Sequence, residues 1–263
     1  MQPFRAIPLS VRRQIRFVLT DIDDTLTHNG KLPAAAYQAL ENLQSGGISV
    51  VPITGRPAGW CDHIARMWPV FAVVGENGAF SFRYDEKRRK MVRSYACDEE
   101  FRRRSRHRLE QLRQDILTAV PGCRVSADQS YREADLAIDF CEDVLPLERA
   151  AVAHIVSLFE TAGATAKISS IHVNGWFGSY DKLTMTDRLF RESLDIDIAG
   201  EREAIVYVGD SPNDAPMFGF FPHSVGVANI RPWLDELPHQ PAWVTNSEGG
   251  FGFAELAAIL LDR

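Results

Sequence analysis

The sequence predicts an α/β fold, a Rossmann-like parallel-sheet core with an inserted α+β cap domain. Near both ends of the chain, short apolar runs alternate with helix-like stretches, which is typical of parallel strands joined by helices. The middle of the chain has a hairpin pattern and neighbouring strands without intervening helices, which indicates an α+β unit. Two of the apolar runs, far apart in the chain, also end in clusters of acidic residues.

The first segment is predicted to alternate strand, helix, strand, helix, strand. Apolar runs rich in β-branched residues indicate buried strands, and proline at a helix start with glycine after its end marks a helix. We therefore expect strands at Ile15–Leu19, Ile48–Ile53 and Phe71–Val74, and helices at Pro33–Leu43 and Pro57–Trp68.

The pattern changes after the third strand. Two runs that flank a charged turn predict an antiparallel hairpin, and a long helix follows it. The elements expected here are strands at Ala79–Tyr84, Met91–Tyr95, Cys123–Ala127, Leu136–Phe140, Ala166–Ser169 and Ile171–Trp176, and helices at Asp98–Val120 and Pro146–Thr161. We predict a core domain formed by residues 1–83 and 179–263, and a cap domain over residues 84–178.

The alternating pattern resumes after the cap. The elements expected here are helices at Tyr180–Ser193, Asn213–Phe218 and Gly250–Leu261, and strands at Ala204–Val208, Ser224–Val227 and Ala242–Val244. An α/β pattern that is interrupted and then resumes predicts a second domain inserted into the first.

Composition narrows the function classes. The chain has 263 residues, is 45% hydrophobic and carries a formal net charge of -6, which argues against general nucleic-acid binding. Its four cysteines lack the spacing of zinc fingers or redox motifs, so we expect them to be reduced. No stretch approaches the roughly 20 apolar residues of a membrane span. We expect a cytoplasmic protein that binds neither nucleic acid nor membrane and is a monomer or homodimer.

Acidic residues follow two of the predicted strands. Asp21 and Asp23 follow the first strand, and Asp210, Asn213 and Asp214 follow the strand after the cap. Because ligands bind at the carboxyl ends of parallel strands, these side chains should meet at one edge of the sheet. Such a negative cluster needs protons or a cation, and Mg²⁺ prefers carboxylate and phosphate oxygens. The sequence predicts a Mg²⁺ site, with these five residues as ligands, and phosphate chemistry.

The spacing of the first two acids predicts different roles. Asp21 could attack phosphorus and form an aspartyl-phosphate, although a single aspartate here could also be a turn or helix-cap residue. Side chains two residues apart in an extended segment share a face, so Asp23 could lie beside Asp21 and act as general acid for the leaving oxygen and then as general base for water. Thr54 and Gly55 follow the second strand and could hold phosphate oxygens, with Arg56 as a phosphate or cap contact.

These motifs resemble those of the haloacid dehalogenase superfamily, in particular its Cof-like, subclass IIB phosphatases. The resemblance runs from Phe17 to about Ile259 and rests on Asp21-x-Asp23-x-Thr25, Thr54-Gly55-Arg56, Lys182 and Gly209-Asp210-x-x-Asn213-Asp214. It implies a large cap between the second and third motifs. It also implies that Lys182 neutralises Asp21 and the phosphate, and that Asn77 faces the cleft.

Cap residues are expected to recognise the leaving group. His172, Asn174 and Trp176 alternate and so share one face of a strand, where a histidine, an amide and an indole suit a sugar. The alternative is a polar face over solvent with Trp176 half-buried. This segment, and the one that contains Arg132, resemble cap pieces of mannosyl-phosphoglycerate and other sugar-phosphate phosphatases.

The sequence therefore predicts an enzyme, a Mg²⁺-dependent phosphatase that hydrolyses a small phosphomonoester such as a sugar phosphate through an aspartyl-phosphate. The nearest alternative is a phosphomutase of the phosphomannomutase type, which would return the phosphoryl group to a sugar. Two further alternatives are a receiver-like signalling module, which would lack both the second acid and the cap, and a capped protein that binds its ligand without turnover.

Overall fold

The computed structural model describes residues 1–169 and 171–263. The strands in chain order are β1 (Gln2–Pro3), β2 (Phe17–Thr20), β3 (Ser49–Pro52), β4 (Val73–Gly75), β5 (Phe80–Asp85), β6 (Lys90–Tyr95), β7 (Arg124–Val125), β8 (Asp135–Asp139), β9 (Thr165–Ile168), β10 (His172–Trp176), β11 (Ile205–Gly209), β12 (His223–Gly226) and β13 (Trp243–Val244). The helices are α1 (Leu9–Arg12), α2 (Ala34–Ser45), α3 (Ala58–Met67), α4 (Glu99–Ala119), α5 (Arg149–Thr161), α6 (Lys182–Leu194), α7 (Ala215–Phe220) and α8 (Gly249–Leu261).

The core is a parallel sheet with the strand order β1-β13-β12-β11-β2-β3. Successive residues of β2 face opposite sides of the sheet, as the period of a strand requires. Val18 belongs to the apolar cluster that includes residues of α2, α3 and α8, whereas Phe17 and Leu19 belong to the cluster that includes residues of α6 and α7. Helices thus cover both faces, and the predicted fold class is confirmed.

The hairpin β5–β6 extends the core rather than the cap. β5 pairs with both β4 and β6, and β4 joins the parallel sheet through a bridge between Ile53 and Val74. Phe80 and Phe82 of β5 lie in the same apolar cluster as Val18. The predicted domain boundary at residue 84 falls inside β5 and would divide this hairpin. We propose instead that the cap begins near Asp98, at the start of α4.

The cap is a four-stranded antiparallel sheet in the order β7-β8-β10-β9, with α4 and α5 on one face. Leu136 and Ile138 of β8 point into the apolar cluster formed with these helices. Asp135, Ala137 and Asp139 alternate with them and therefore lie on the other face of the sheet. This second face carries the polar residues of the cap to the core.

Most of the predicted elements are present, with ends displaced by a few residues. The predicted helix at Asn213–Phe218 is a single 3₁₀ turn, Pro212–Asp214, followed by α7. β1 and α1 were not predicted, because a two-residue strand and a one-turn helix have too few residues to show a period. Within the described residues, no helix is long and apolar enough to cross a membrane.

Candidate active site

The carboxyl ends of three neighbouring core strands form the candidate site. Asp21 directly follows β2, Asp210 directly follows β11, and Thr54 lies two residues after β3. The Asp21 amide donates a hydrogen bond of 2.9 Å to the Val208 carbonyl, so the two acid-bearing strands are still joined where the site begins. The predicted meeting of both acidic segments at one sheet edge is thus present.

Asp21 and Lys182 form a buried ion pair. Lys182 Nζ donates to Asp21 Oδ1 over 2.8 Å, and each residue is less than a tenth exposed. Burial raises the pKa of Asp21 to about 7 even though Lys182 opposes the shift. The ion pair with Lys182 therefore does not fully offset the cost of burying the Asp21 carboxylate.

The start of α6 positions Lys182. Asp181 caps this helix, since its side chain accepts a hydrogen bond from the Thr184 amide and the Thr184 hydroxyl accepts one from the Asp181 amide. Lys182 is the first residue of the helix, and its side chain reaches both Asp21 and Asp214. Although burial opposes it, the two carboxylates raise the pKa of Lys182, so the lysine stays charged.

Asp214 lies behind the site rather than in it. Its side chain is fully buried and accepts hydrogen bonds from Lys182, from the Tyr207 hydroxyl and from the amides of Asp210 and Ser211. The prediction that Asp214 ligates the metal is wrong in this arrangement, because these donors already surround its oxygens. Its place fits a role in orienting Lys182.

Asp23 is paired with Arg56. The guanidinium donates to both oxygens of Asp23 over 2.8 to 3.0 Å. Arg56 also lies 3.6 Å from Glu142 and 3.9 Å from Asp128, two acids of the cap. Arg56 is therefore a cap contact, one of its two predicted roles, and the Asp23 carboxylate is not free to be the predicted metal ligand.

Asp210 has neutral partners. Its Oδ1 accepts from the Thr25 hydroxyl at 2.8 Å and its Oδ2 from Asn229 Nδ2 at 3.3 Å. Burial, together with the charges of Asp214 and Asp21, raises the pKa of Asp210 well above its usual range. Asn229 was missed by the sequence analysis because it lies in a 3₁₀ helix, Ala228–Glu236, that carries no motif, 19 residues from Asp210.

A small cavity of about 40 Å³ joins these groups. Asp21, Asp23 and Asp210 line it, and so do several other predicted site residues: Gly55, Arg56, Asn77, Arg132, His172, Asn174 and Asn213. The volume is enough for about three water molecules, which is close to the size of a phosphoryl group. The structure brings most predicted site residues around one space of the size that the predicted chemistry needs.

The donor set of this cavity fits Mg²⁺. The described residues contain no group of three or more His, Cys, Asp or Glu side chains arranged to hold a metal ion. Mg²⁺, however, is commonly held by one or two carboxylates together with water and substrate phosphate. Asp21 and Asp210 supply two buried carboxylates and Asn213 an amide oxygen at the cavity wall, and a cation held there would offset the charge of the two carboxylates.

The turn after β3 forms another wall. The Thr54 hydroxyl accepts a hydrogen bond of 3.0 Å from the Arg56 amide, which fixes the turn. Gly55 faces the Asn77 side chain so closely that an added Cβ would lie 3.2 Å from Asn77 Nδ2. Thr54 itself is fully buried, so the site presents Gly55 and Asn77 to the cavity rather than the threonine.

Comparisons with known proteins agree with this geometry. A family model described as haloacid dehalogenase-like hydrolase matches residues 18–120, a span that includes the first two motifs. The resemblance to the haloacid dehalogenase superfamily is confirmed. The prediction that the chain is an enzyme, a hydrolase, is confirmed with it. No curated protein matches the chain.

Solved structures share the hydrolase fold over almost the whole chain. Protein 0175 of Thermoplasma acidophilum is 18% identical with a TM-score of 0.71, and the match covers 94% of this chain and 98% of that one. A Plasmodium vivax protein provisionally assigned as a HAD/COF-like hydrolase is 17% identical with a TM-score of 0.67, covering 96% and 99%. The sucrose-phosphatase of Synechocystis, solved with sucrose and phosphate, is 16% identical with a TM-score of 0.62, covering 94% and 98%.

The cap of the hydrolase closes the cavity with a charged network. Arg132 is almost fully buried and donates to Asp128 and Asp135 of the cap over 2.8 to 3.1 Å. It also donates to the Gly55 carbonyl of the core over 3.0 Å. Asn174 donates to Asp135 over 3.0 Å, so the network continues onto β10. Arg132 therefore ties the cap to the turn that borders the cavity.

Two of the three predicted sugar-binding residues line the cavity. His172 and Asn174 are both there, and burial lowers the pKa of His172, which keeps its ring neutral. Trp176 is 2% exposed and its ring stacks on Tyr180 at 5.8 Å. The prediction that Trp176 offers an open platform for a sugar is wrong, because Tyr180 covers the indole where the chain returns to the core.

Glu76 connects the core of the hydrolase to its cap. Its fully buried carboxylate accepts hydrogen bonds from the amides of Ala58, Glu133, Ala134 and Asp135, of which the last three belong to the cap. Glu76 and Asn77 both have positive φ angles, 44° and 56°, a conformation that costs free energy and is typical of functional turns. No local sequence pattern indicates this role of Glu76, because the cap amides lie 57 to 59 residues away.

We expect Glu76→Gln to destabilise the protein by about 1–3 kcal/mol, because the new amide group would face N–H donors and leave buried groups unpaired. The measurement is urea unfolding of the variant beside Glu86→Gln, which changes the same residue type on the exposed hairpin turn. Equal unfolding midpoints for the two variants would show that the Glu76 contacts do not hold the cap.

Proposed function

We propose that the chain is a Mg²⁺-dependent phosphatase that hydrolyses a sugar phosphate or a similar small phosphomonoester through an aspartyl-phosphate on Asp21. The observation that carries the proposal is that Asp21, which is paired with the buried Lys182, lines the same small cavity as Asp210. The likeness to the sucrose-phosphatase, although it is only of fold, supports a sugar phosphate as the substrate class.

The first step would transfer the phosphoryl group to Asp21. Lys182 holds Oδ1, so Oδ2 would attack phosphorus, forming a new O–P bond while the bond to the leaving oxygen breaks. Asp23 would give a proton to that leaving oxygen. Arg56 donates hydrogen bonds to both oxygens of Asp23. The guanidinium would therefore have to move away from Asp23 and toward the substrate when Asp23 is protonated.

The second step would release phosphate and restore the enzyme. Asp23, now ionised, would take a proton from a water molecule, whose oxygen attacks phosphorus and displaces Asp21. Lys182 would stabilise the negative charge on Asp21 and on the phosphoryl oxygens in both steps. A Mg²⁺ ion held by Asp21, Asp210 and Asn213 would supply further charge stabilisation as a Lewis acid.

Release of inorganic phosphate tests the proposal against its nearest alternative. The protein is incubated with Mg²⁺ and a panel of phosphorylated sugars, nucleotides and cofactors, and free phosphate is measured. A phosphatase releases phosphate in proportion to the substrate consumed. A phosphomutase would instead yield an isomeric sugar phosphate with little free phosphate, and a binding protein would yield neither product.

We expect removal of Mg²⁺ with a chelator to abolish phosphate release, because Asp210 has only neutral partners among its described contacts. Thermal unfolding gives a second readout. Adding Mg²⁺ should raise the Tm of the wild-type protein and of Asp235→Asn, a change at an exposed aspartate, but not that of Asp210→Asn. Full activity after chelation, or an unchanged Mg²⁺ response in Asp210→Asn, would contradict the assignment.

A further inference from the structure

A larger cavity opens beside the catalytic one, between α3 of the core and the cap. Its volume is about 860 Å³, and it shares Asp23, Arg56 and Ile171 with the small catalytic cavity. A group attached to a phosphate in the small cavity could therefore extend into this space without leaving the protein surface. We call this space the α3 groove.

Exposed aromatic rings from both domains line the α3 groove. Trp60 of α3 is 44% exposed and Tyr131 of the cap is 57% exposed, and both line this one groove, so that the groove has an exposed apolar surface. Gly59 allows the cap to approach, since a Cβ there would lie 3.0 Å from the Tyr131 Cβ. The Arg56 guanidinium lies over the Trp60 ring, 4.6 Å from the ring centroid. Since Arg56 also pairs with Asp23, the proposed general acid, the Trp60 ring lies close to the catalytic cavity.

The polar groups of the α3 groove indicate what kind of group would lie on these rings. Asp24 and Glu142 line it, together with His63. A second phosphate or carboxylate on the ligand would face these two acids, whereas hydroxyl groups could donate hydrogen bonds to them. Aromatic faces with adjacent carboxylates suit an uncharged ring that carries hydroxyl groups, which is the chemistry of a sugar.

The catalytic geometry favours this groove over the other opening of the site. A second cavity of about 810 Å³ is lined by Asp210 and Ser211, and it has its own exposed tryptophan, Trp233. The leaving oxygen, however, must lie within hydrogen-bond reach of the general acid. Asp23 lines the α3 groove, so the leaving group should extend to that side.

We propose that the α3 groove binds a second, uncharged sugar ring, so that the preferred substrate is a disaccharide phosphate rather than a monosaccharide phosphate. The proposal rests on the phosphatase function proposed above. Trp60 and Tyr131 are its specificity-determining residues, and they act by stacking on the distal ring.

The test compares substrates of increasing size. We measure kcat/KM for acetyl phosphate, glucose 6-phosphate, and the disaccharide phosphates trehalose 6-phosphate and sucrose 6-phosphate. At least one disaccharide phosphate should exceed glucose 6-phosphate roughly tenfold, and Trp60→Ala and Tyr131→Ala should each remove most of that advantage. Rates with acetyl phosphate, which has no ring, should stay within about twofold. Trp233→Ala, at a tryptophan of similar exposure in the other cavity, is the matched control.

A preference for glucose 6-phosphate would overturn the proposal. So would a disaccharide preference that is kept in both Trp60→Ala and Tyr131→Ala, or one that is lost in Trp233→Ala. Binding of a disaccharide phosphate to Asp21→Asn, measured by calorimetry, distinguishes failure of this proposal from failure of the proposed phosphatase function, because binding requires no turnover. A disaccharide phosphate that binds Asp21→Asn roughly tenfold more tightly than the Asp21→Asn, Trp60→Ala double variant supports the groove even if no phosphate is released. Equal affinities for the two variants would refute it.

Discussion

Asp21→Asn is expected to lower phosphate release by roughly 10⁴-fold or more, because the amide oxygen of asparagine cannot act as the nucleophile that forms the acyl phosphate. The control Asp115→Asn changes an exposed aspartate of α4 and should retain full activity. Measurement with acetyl phosphate avoids any dependence on the leaving group. Activity of Asp21→Asn within about tenfold of the wild type would exclude Asp21 as the nucleophile.

The same variant should be as stable as the wild type or more stable, and this effect should depend on pH. The pKa of Asp21 is raised from 3.8 to about 7 in the folded protein, chiefly by burial. The unfolded chain therefore loses this proton at lower pH than the folded protein does, and ionised Asp21 destabilises the fold increasingly as pH rises from about 4 to 7. In metal-free buffer, the stability gain of Asp21→Asn should grow over this range and level off above it.

Lys182→Met is expected to have the second largest effect, on stability as well as on rate. The change leaves Asp21 and Asp214 buried beside each other without their shared cation. Removing one partner from such a buried group lowers the free energy of unfolding by about 3–5 kcal/mol. Loss of the charge that stabilises the phosphoryl oxygens should in addition reduce kcat by roughly 10²-fold or more.

Urea unfolding and phosphate release measure the two effects of Lys182→Met, with Lys87→Met on the exposed hairpin turn as control. Because Lys182 lowers the pKa of Asp21, its removal should raise that pKa further, so the loss of stability should be greater at pH 8 than at pH 5. A stability loss as small as that of Lys87→Met would show that the ion pair contributes little to the fold.

The site residues whose positions were predicted most accurately are those that directly follow a strand. Asp21 and Asp210 each follow an apolar strand directly, and the geometry of a parallel sheet then requires them to meet. Lys182 was placed by resemblance alone, since a lysine at a helix start is ordinarily exposed to solvent. Its contact with Asp21 depends on how α6 packs after the inserted cap, which no local pattern encodes.

The predictions that failed concern side chains whose environment depends on distant parts of the chain. The alternation of His172, Asn174 and Trp176 correctly placed them on one face of β10. Strand periodicity predicts on which face of a sheet a side chain lies but not how deeply that side chain is buried. In the structure, Tyr180 covers Trp176. Likewise, a sequence pattern cannot show that Arg56 would form an ion pair with Asp23, a residue 33 positions away in the chain.

Contacts between the core and the cap were the least predictable feature. Glu76 was not among the predicted site residues, yet its carboxylate accepts hydrogen bonds from the amides that lead into β8. Tyr131 of the cap can lie against α3 because Gly59 has no side chain there. Both arrangements join segments more than 50 residues apart, and neither has a local sequence signal.

The central claim, a phosphoryl group carried on Asp21, is tested most directly by mass spectrometry of the enzyme during turnover. The protein is mixed with substrate and Mg²⁺, quenched in acid within milliseconds and digested, and the peptide that contains Asp21 is examined for an added phosphoryl group. The account predicts this adduct on Asp21 in the wild-type enzyme and its absence from Asp21→Asn. Phosphate release at the wild-type rate with no adduct, or an adduct on another residue, would contradict it.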